Sequence, residues 1–296
     1  MRFWLSLVSV RESQQWPEIA RLAEDLGFHG LMVGDHLLWP AYIETPYPYS
    51  PDGKLFVPQD TPWPDPWVLF AHLGAITRKL QFASNIYLAA LRDPFTAAKA
   101  VATAALLTQG RIICGVSAGW LAEEYEMVGV DFAARGRRLD EVLAVMRKLW
   151  SGRVVEHRGE FFRFEGISCP APPRPIPIWC GGDAPSALRR AARNDGWLPL
   201  PMTVAQAQRA VTKLIALREA EGRAPDTLRV GLPIAEPLTR ALLDDLRGAG
   251  LDDIVVIAPW LPSPWDVESF VDAGADTSQL AVKKQALERC ARRLMR

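Results

Sequence analysis

Apolar positions along this chain fall either into short unbroken runs or into sets spaced by three and four. The first run, 3–10 (FWLSLVSV), predicts a strand. Trp16, Ile19, Leu22, Ala23 and Leu26 then recur on one face of an amphipathic helix that Gly27 ends. A second run, 30–36, predicts the next strand, and a Pro-rich loop of about 30 residues separates it from a helix over 66–77. The alternation continues with a strand over 80–88, a small-residue helix opened by Asp93-Pro94 and capped by Gly110, and a strand over 111–119. Helices over 120–129 and 136–150 come next. Residues 154–164 predict a hairpin turning at His157-Arg158-Gly159. Strands over 176–181, 196–200, 228–235 and 253–258 then alternate with helices over 184–194, 204–221 and 238–248. Helical patterns at 264–273 and 278–295 close the chain.

Eight short, apolar, β-branched strands, each followed by a helix, predict a closed parallel (β/α)8 TIM barrel with inserted loops. Both faces of such strands are buried, one by the barrel interior and one by helices. The competing open doubly wound sheet predicts a Gly-rich dinucleotide turn after the first strand. This chain has SVRESQQW there, without glycine. One domain spanning 1–296 is the simplest division.

Composition narrows the function classes. The 296 residues carry 34 Lys plus Arg and 34 Asp plus Glu, so the chain is neutral overall and lacks the cation surplus that coating nucleic acid or an anionic membrane requires. No apolar stretch approaches the roughly 18 residues of a membrane span, and 3–10 meets Arg11 and Glu12 without a small-residue cleavage site. Cys114, Cys169, Cys180 and Cys290 are widely spaced, which fits a reducing, cytoplasmic setting. The four histidines show no metal-ligand spacing, and no G-x-S-x-G elbow is present. A small-molecule substrate is therefore the expected partner.

In a barrel of this kind chemistry sits at the C-terminal strand ends. Those ends carry Asp35-His36, Ser84-Asn85 through Tyr87, Ser117-Ala118-Gly119-Trp120, and Cys180-Gly181-Gly182-Asp183. The glycine pair before a helix suits a phosphate, or else a left-handed turn that holds no ligand. An imidazole at His36 can move a proton near neutral pH, or else satisfy backbone groups. Neighbouring residues on a strand point to opposite faces, so only one of Asp35 and His36 is expected to enter the mouth. Many of the 11 tryptophans, Trp39, Trp63 and Trp120 among them, fall in strand-end loops, where flat walls suit an aromatic ligand.

These motifs, in this order and spacing, resemble the luciferase-like monooxygenase superfamily. The resemblance is carried by LAEDLGFHGLMVGDHL (22–37), by most of 65–150 and by PIPIWCGGDAPSALRRAARNDGWLPL (175–200). The pattern AGW-x3-EY-x3-G-x-x-F-x-x-RG-x3-DE within 118–141 is similar to the subgroup that uses the deazaflavin coenzyme F420. The resemblance implies a bacterial luciferase-like barrel that pairs as a homodimer through early helices, where Ala97, Ala98, Ala102 and Ala105 either allow close contact or, the reading favoured for these residues, pack helix on barrel. It also implies a catalytic His36 and an Asp35 bonded to the cofactor. It places a non-prolyl cis peptide at Ser84-Asn85, and contacts along the cofactor from Tyr87, Ser117, Gly119, Trp120 and Glu123. Cys180, Gly181, Gly182 and Asp183 would form the phosphate cradle. Arg92, Lys99, Arg111, Arg135 and Arg174 are candidates to balance an acidic tail. The sequence departs from the pattern at Ser117, where relatives commonly have Gly, at Trp120, where sugar-phosphate dehydrogenases have Glu, and at Tyr87, where a small polar residue is usual. The implied activity is F420-dependent hydride transfer to or from a small organic substrate. An FMN-dependent monooxygenase and a non-catalytic flavin-binding barrel are the alternatives.

Overall fold

The first two strands, β1 (Arg2–Ser6) and β2 (Gly30–Val33), lie side by side in parallel, with α1 (Trp16–Leu26) packed outside them. The structure, a computed structural model, describes residues 1–8, 10–50, 52–54, 58, 60–251, 253–260 and 270–295. Next come α2 (Pro66–Ile76), β3 (Gln81–Ser84), α3 (Pro94–Leu107) and β4 (Ile112–Val116). After α4 (Ala122–Met127) and α5 (Arg135–Leu149), the antiparallel hairpin of β5 (Val155–Arg158) and β6 (Arg163–Ile167) interrupts the alternation. It resumes with β7 (Ile178–Gly181), α6 (Pro185–Ala192), β8 (Gly196–Leu198), α7 (Val204–Ala220) and β9 (Arg229–Pro233). The last elements are α8 (Arg240–Gly248), β10 (Ile254–Ile257) and α9 (Leu280–Leu294). Eight strands close into a parallel barrel in the order β1-β10-β9-β8-β7-β4-β3-β2.

The predicted eight-stranded barrel is thus present. The helix predicted over 264–273 lies outside the described residues up to 269, and 270–273 is not helical. The strand predicted over 80–88 stops at Ser84.

Strand alternation sorts side chains into two cores. One lies between barrel and helices. The other fills the barrel and comprises Trp4, Met32, Ala83, Ile113, Trp179, Leu198, Ile254 and Val256. Two glycines make room for its largest members. A Cβ on Gly30 would stand 2.5 Å from the Trp4 indole, and one on Gly196 would stand 2.4 Å from Trp179. Trp4 and Trp179 meet at 5.9 Å between ring centroids and fill the N-terminal end of the barrel, so the open end is the one the strands point toward.

Candidate active site

Period-two alternation along β2 and beyond it decides which residue of the Asp35-His36 pair enters the mouth. Gly30, Met32 and Gly34 face the barrel interior, and His36 follows them into the mouth. Asp35 turns the other way and is 5% exposed. Its oxygens accept from Arg92 Nη1 and Nη2 at 2.7 and 2.9 Å and from the Leu88 amide at 3.0 Å. Burial pushes the Asp35 carboxyl above its ordinary range, while the Arg92 guanidinium and the Leu88 amide pull it back. Asp35 therefore anchors the segment after β3, and the expectation that it bonds a cofactor ring is corrected.

Three further residues also lie away from the mouth, Ser84 and Cys180 by the same alternation and Tyr87 beyond the end of its strand. Ser84 is fully buried with its hydroxyl wedged against Gly115, donating to the carbonyl at 2.8 Å and accepting from the amide at 3.0 Å. Tyr87 packs behind the strand ends against Trp67 and under the Arg92 guanidinium. Cys180 follows the inward Trp179 and so points to the helix layer, where burial pushes its thiol up to about 12. The cis peptide is Asn85-Ile86, one residue later than expected. The Asn85 amide still serves the ladder, donating to the Val33 carbonyl at 2.7 Å.

His36, Asn85, Ser117, Gly181 and Trp120 do come together. A Cβ on Gly181 would lie 3.0 Å from Ile86 and 3.5 Å from Ser117, and one on Gly34 would lie 3.5 Å from the Asn85 carbonyl oxygen. Ser117 Oγ accepts from the amide of Gly119, whose φ of 69° sets the turn into Trp120. The glycine cradle is only partly as expected. The Gly182 amide donates to the Leu198 carbonyl at 3.2 Å, and its φ of 93° makes the left-handed turn. The anion donors that remain are the first-turn amides of α6, which begins at Pro185 with no side-chain cap from Ala184. The carboxylate of Asp183 is exposed there and opposes an anion.

The imidazole of His36 is held on all sides. Nδ1 lies 2.8 Å from Glu124 Oε2, a carboxylate only 1% exposed. The indoles of Trp39, Trp63 and Trp120 stand edge-on to the ring at 4.7, 4.6 and 6.3 Å. Nε2 has no hydrogen-bond partner among the described residues, and neither do the buried Nε1 groups of Trp39 and Trp63. Glu124 was not among the residues expected at the site. Its signal was the acid of the W-x3-EY spacing, one place after Glu123.

Glu123 has a different task from the one expected. It accepts from the amides of Glu44 and Thr45 at 2.6 and 2.8 Å and from the Thr45 hydroxyl at 2.7 Å. Glu124 Oε1 likewise accepts from the amides of Leu37 and Leu38 at 2.8 and 3.1 Å. Two adjacent glutamates on α4 thus fasten residues 37–45, and Arg11 pairs with Asp60. Instead of an open mouth, the structure has one roofed by Trp39 and Trp63. A planar ring that reaches His36 must share the space with these indoles. Beyond them lies a cavity of about 390 Å³ lined by Trp120, Tyr47, Thr45 and Lys54, among others.

Of the five basic candidates, Arg92 is spent on Asp35. Arg111 donates to the carbonyls of Gly74, Thr77, Leu80 and Thr108, near the N-terminal ends of the strands. Arg174 packs over Gly110, beside the start of β4. Lys99 is exposed on α3. Arg135 stays close to the site, donating to the Gly119 carbonyl and covering the Phe132 ring.

Comparison with known proteins agrees with this architecture. An uncharacterised protein of Mycobacterium tuberculosis (strain ATCC 25618 / H37Rv) is 34% identical over 239 residues, which cover 80% of this chain and 83% of that one. The F420-dependent hydroxymycolic acid dehydrogenase of the same organism is 28% identical over 214 residues, 71% of this chain and 55% of the relative. The crystal structure of a monooxygenase from Streptomyces bottropensis superposes with a TM-score of 0.74 at 18% identity, covering 100% of this chain and 99% of that one. Residues 7–236 match the family described as Luciferase-like monooxygenase. This barrel belongs to the luciferase-like monooxygenase family.

Proposed function

We propose that this protein is an F420-dependent oxidoreductase that interconverts an alcohol and a carbonyl compound. The observation that carries this reading is the His36 imidazole, held through Nδ1 by the buried Glu124, with an Nε2 that has no hydrogen-bond partner among the described residues and three indoles around the ring. Such a group can take the proton of a hydroxyl or return it to a carbonyl oxygen. The F420-dependent dehydrogenase among the relatives supports the same pairing of cofactor and reaction. The residues present suit a planar redox cofactor with a phosphate. Two buried indole N–H groups lack acceptors, and the first-turn amides of α6 lack a side-chain cap.

When bound, F420 would supply two-electron hydride chemistry that reacts poorly with oxygen. The chain's own residues do the rest. Trp39, Trp63 and Trp120 exclude water around His36, Ser117 and Gly181 shape the floor, and the start of α6 would hold the phosphate. His36 moves the proton at Nε2. Asp35 and Arg92 position the chain behind Asn85, and Glu123 fastens the roof. We also propose a homodimer through α2 and α3, which pack side by side and expose Val68, Leu106 and Leu107. Ala97, Ala98 and Ala105 are buried within the protomer and serve helix-on-barrel packing instead.

Titration of the purified protein with F420 and with FMN, followed by a panel of alcohols and ketones, tests the assignment. Saturable F420 binding and substrate-dependent change in F420 absorbance are expected. Rapid oxygen consumption with reduced FMN would replace this reading with the monooxygenase one. Cofactor binding and turnover unchanged in His36→Ala would remove His36 from the chemistry.

A further inference from the structure

Glu124 is buried to 1% exposure and lies within hydrogen-bond distance of three consecutive residues, with His36 Nδ1 2.8 Å from Oε2 and the Leu37 and Leu38 amides 2.8 and 3.1 Å from Oε1. A carboxylate has no donor of its own, so each of these contacts requires a proton on the partner. Leu37 and Leu38 supply backbone amides to Oε1. The third partner is His36 Nδ1, which must then carry the ring's proton, and a neutral imidazole has only one to place. We propose that Glu124 is a positioning residue: by holding His36 as the Nδ1–H tautomer, it presents the bare Nε2 lone pair to the substrate's hydroxyl. This rests on the alcohol–carbonyl reading above for its use, though not for the tautomer itself.

In the oxidation direction, the substrate O–H bond breaks and its proton goes to Nε2, the electron pair staying on oxygen to close the C=O bond. The carbinol hydrogen leaves with its own electron pair to the deazaflavin acceptor. The imidazolium that results faces the Glu124 carboxylate across 2.8 Å, and the proton then passes to solvent. The opposite tautomer would put an N–H where the proton must land. Glu124 also ties this arrangement to the roof. The amides it holds, those of Leu37 and Leu38, directly precede Trp39, whose indole stands edge-on to the imidazole at 4.7 Å.

Glu124→Gln separates this role from a purely structural one. The glutamine carbonyl can still accept from Leu37 and Leu38, but its NH2 now faces Nδ1 and drives the ring proton to Nε2. The first readout is the imidazole nitrogen chemical shifts of ligand-free protein, at a pH where the ring is neutral. The His36 resonances are assigned by their loss in His36→Gln. Wild type is expected to show Nδ1–H, and Glu124→Gln to show Nε2–H. An Nε2–H ring in the wild type, or the same tautomer in both proteins, would overturn the proposal, and the wild-type measurement needs no variant to fold. In the second readout, F420 with any alcohol that the panel shows to be a substrate, Glu124→Gln is expected to lose roughly a hundredfold in kcat with KM little changed. Retention of kcat within about twofold would also overturn it. Wild-type protein that shows Nδ1–H but never turns over any alcohol with F420 would sink the functional reading and leave the tautomer assignment standing.

Discussion

His36 and Asp35 show how one step along a strand assigns chemistry. The pair reads as a single acid–base motif in the sequence, and only the inward glycines before it reveal that the imidazole enters the mouth while the carboxylate goes behind it. Asp35 is matched to Arg92 in a bidentate contact that is almost wholly buried. Removing one partner strands the other charge. Arg92→Met is expected to lower unfolding free energy by about 3 kcal/mol in urea denaturation, while His36→Gln shifts it far less. Strand period made His36, Asn85, Ser117 and Gly181 legible as inward residues. Ser84, Tyr87 and Cys180 were assigned to the mouth by likeness to a family; the same period sends Ser84 and Cys180 to the helix layer, whereas Tyr87, four places after the inward Ala83, leaves the period beyond the strand's end at Ser84. Glu124 was not legible as a site residue. Its partner lies 88 positions away, and the W-x3-EY spacing that marks the acid does not say that α4 brings it against the residues after β2.

At the scale of elements, the long segment between β2 and α2 behaves as a roof stitched to α4. Proline-rich sequence marked it as an excursion, but nothing in its composition told that it folds back over the strand ends. That outcome depends on the acid pair of α4 capturing its amides. Burial pushes the Glu123 carboxyl up, but hydrogen bonds from the Thr45 amide and hydroxyl and the Glu44 amide outweigh it and hold it below the ordinary range. A carboxyl depressed by folding adds stability that is fully present above its unfolded value, about 4.3. The contribution fades as pH falls through the lower folded value. Hydrogen exchange at Glu44 and Thr45, corrected for the intrinsic pH dependence of exchange, is therefore expected to show protection at pH 6 that drops toward about pH 3. Glu123→Gln is expected to flatten that dependence. Element boundaries were legible where caps are written into the chain, as at Asp65, whose carboxylate accepts from Trp67 and Val68, and at Asp93, which accepts from Thr96.

For the whole molecule, barrel closure was legible because eight strand–helix units in this length leave few other arrangements. The outer surface follows a different logic. α2 and α3 are rich in apolar residues and leave some of them on the outward face, beside His72 on α2 and Thr96, Lys99 and Thr103 on α3. Val68 is 71% exposed, and Leu106 and Leu107 are more than half exposed. Sedimentation is expected to find two chains together in the native protein and one in a Val68→Glu, Leu107→Glu double variant. An unchanged mass in the variant would place the dimer contact elsewhere.

The Trp4–Trp179 pair has a consequence for traffic. With those indoles seated on Gly30 and Gly196, the described residues give the cylinder a blind end, and a molecule bound at His36 is reached from the end the strands point toward. Whatever sits deepest must be first in and last out, so two reactants cannot exchange independently. Steady-state kinetics should carry the signature of a compulsory order, the product of one turnover clearing the threshold before the deeper-seated companion can be replaced.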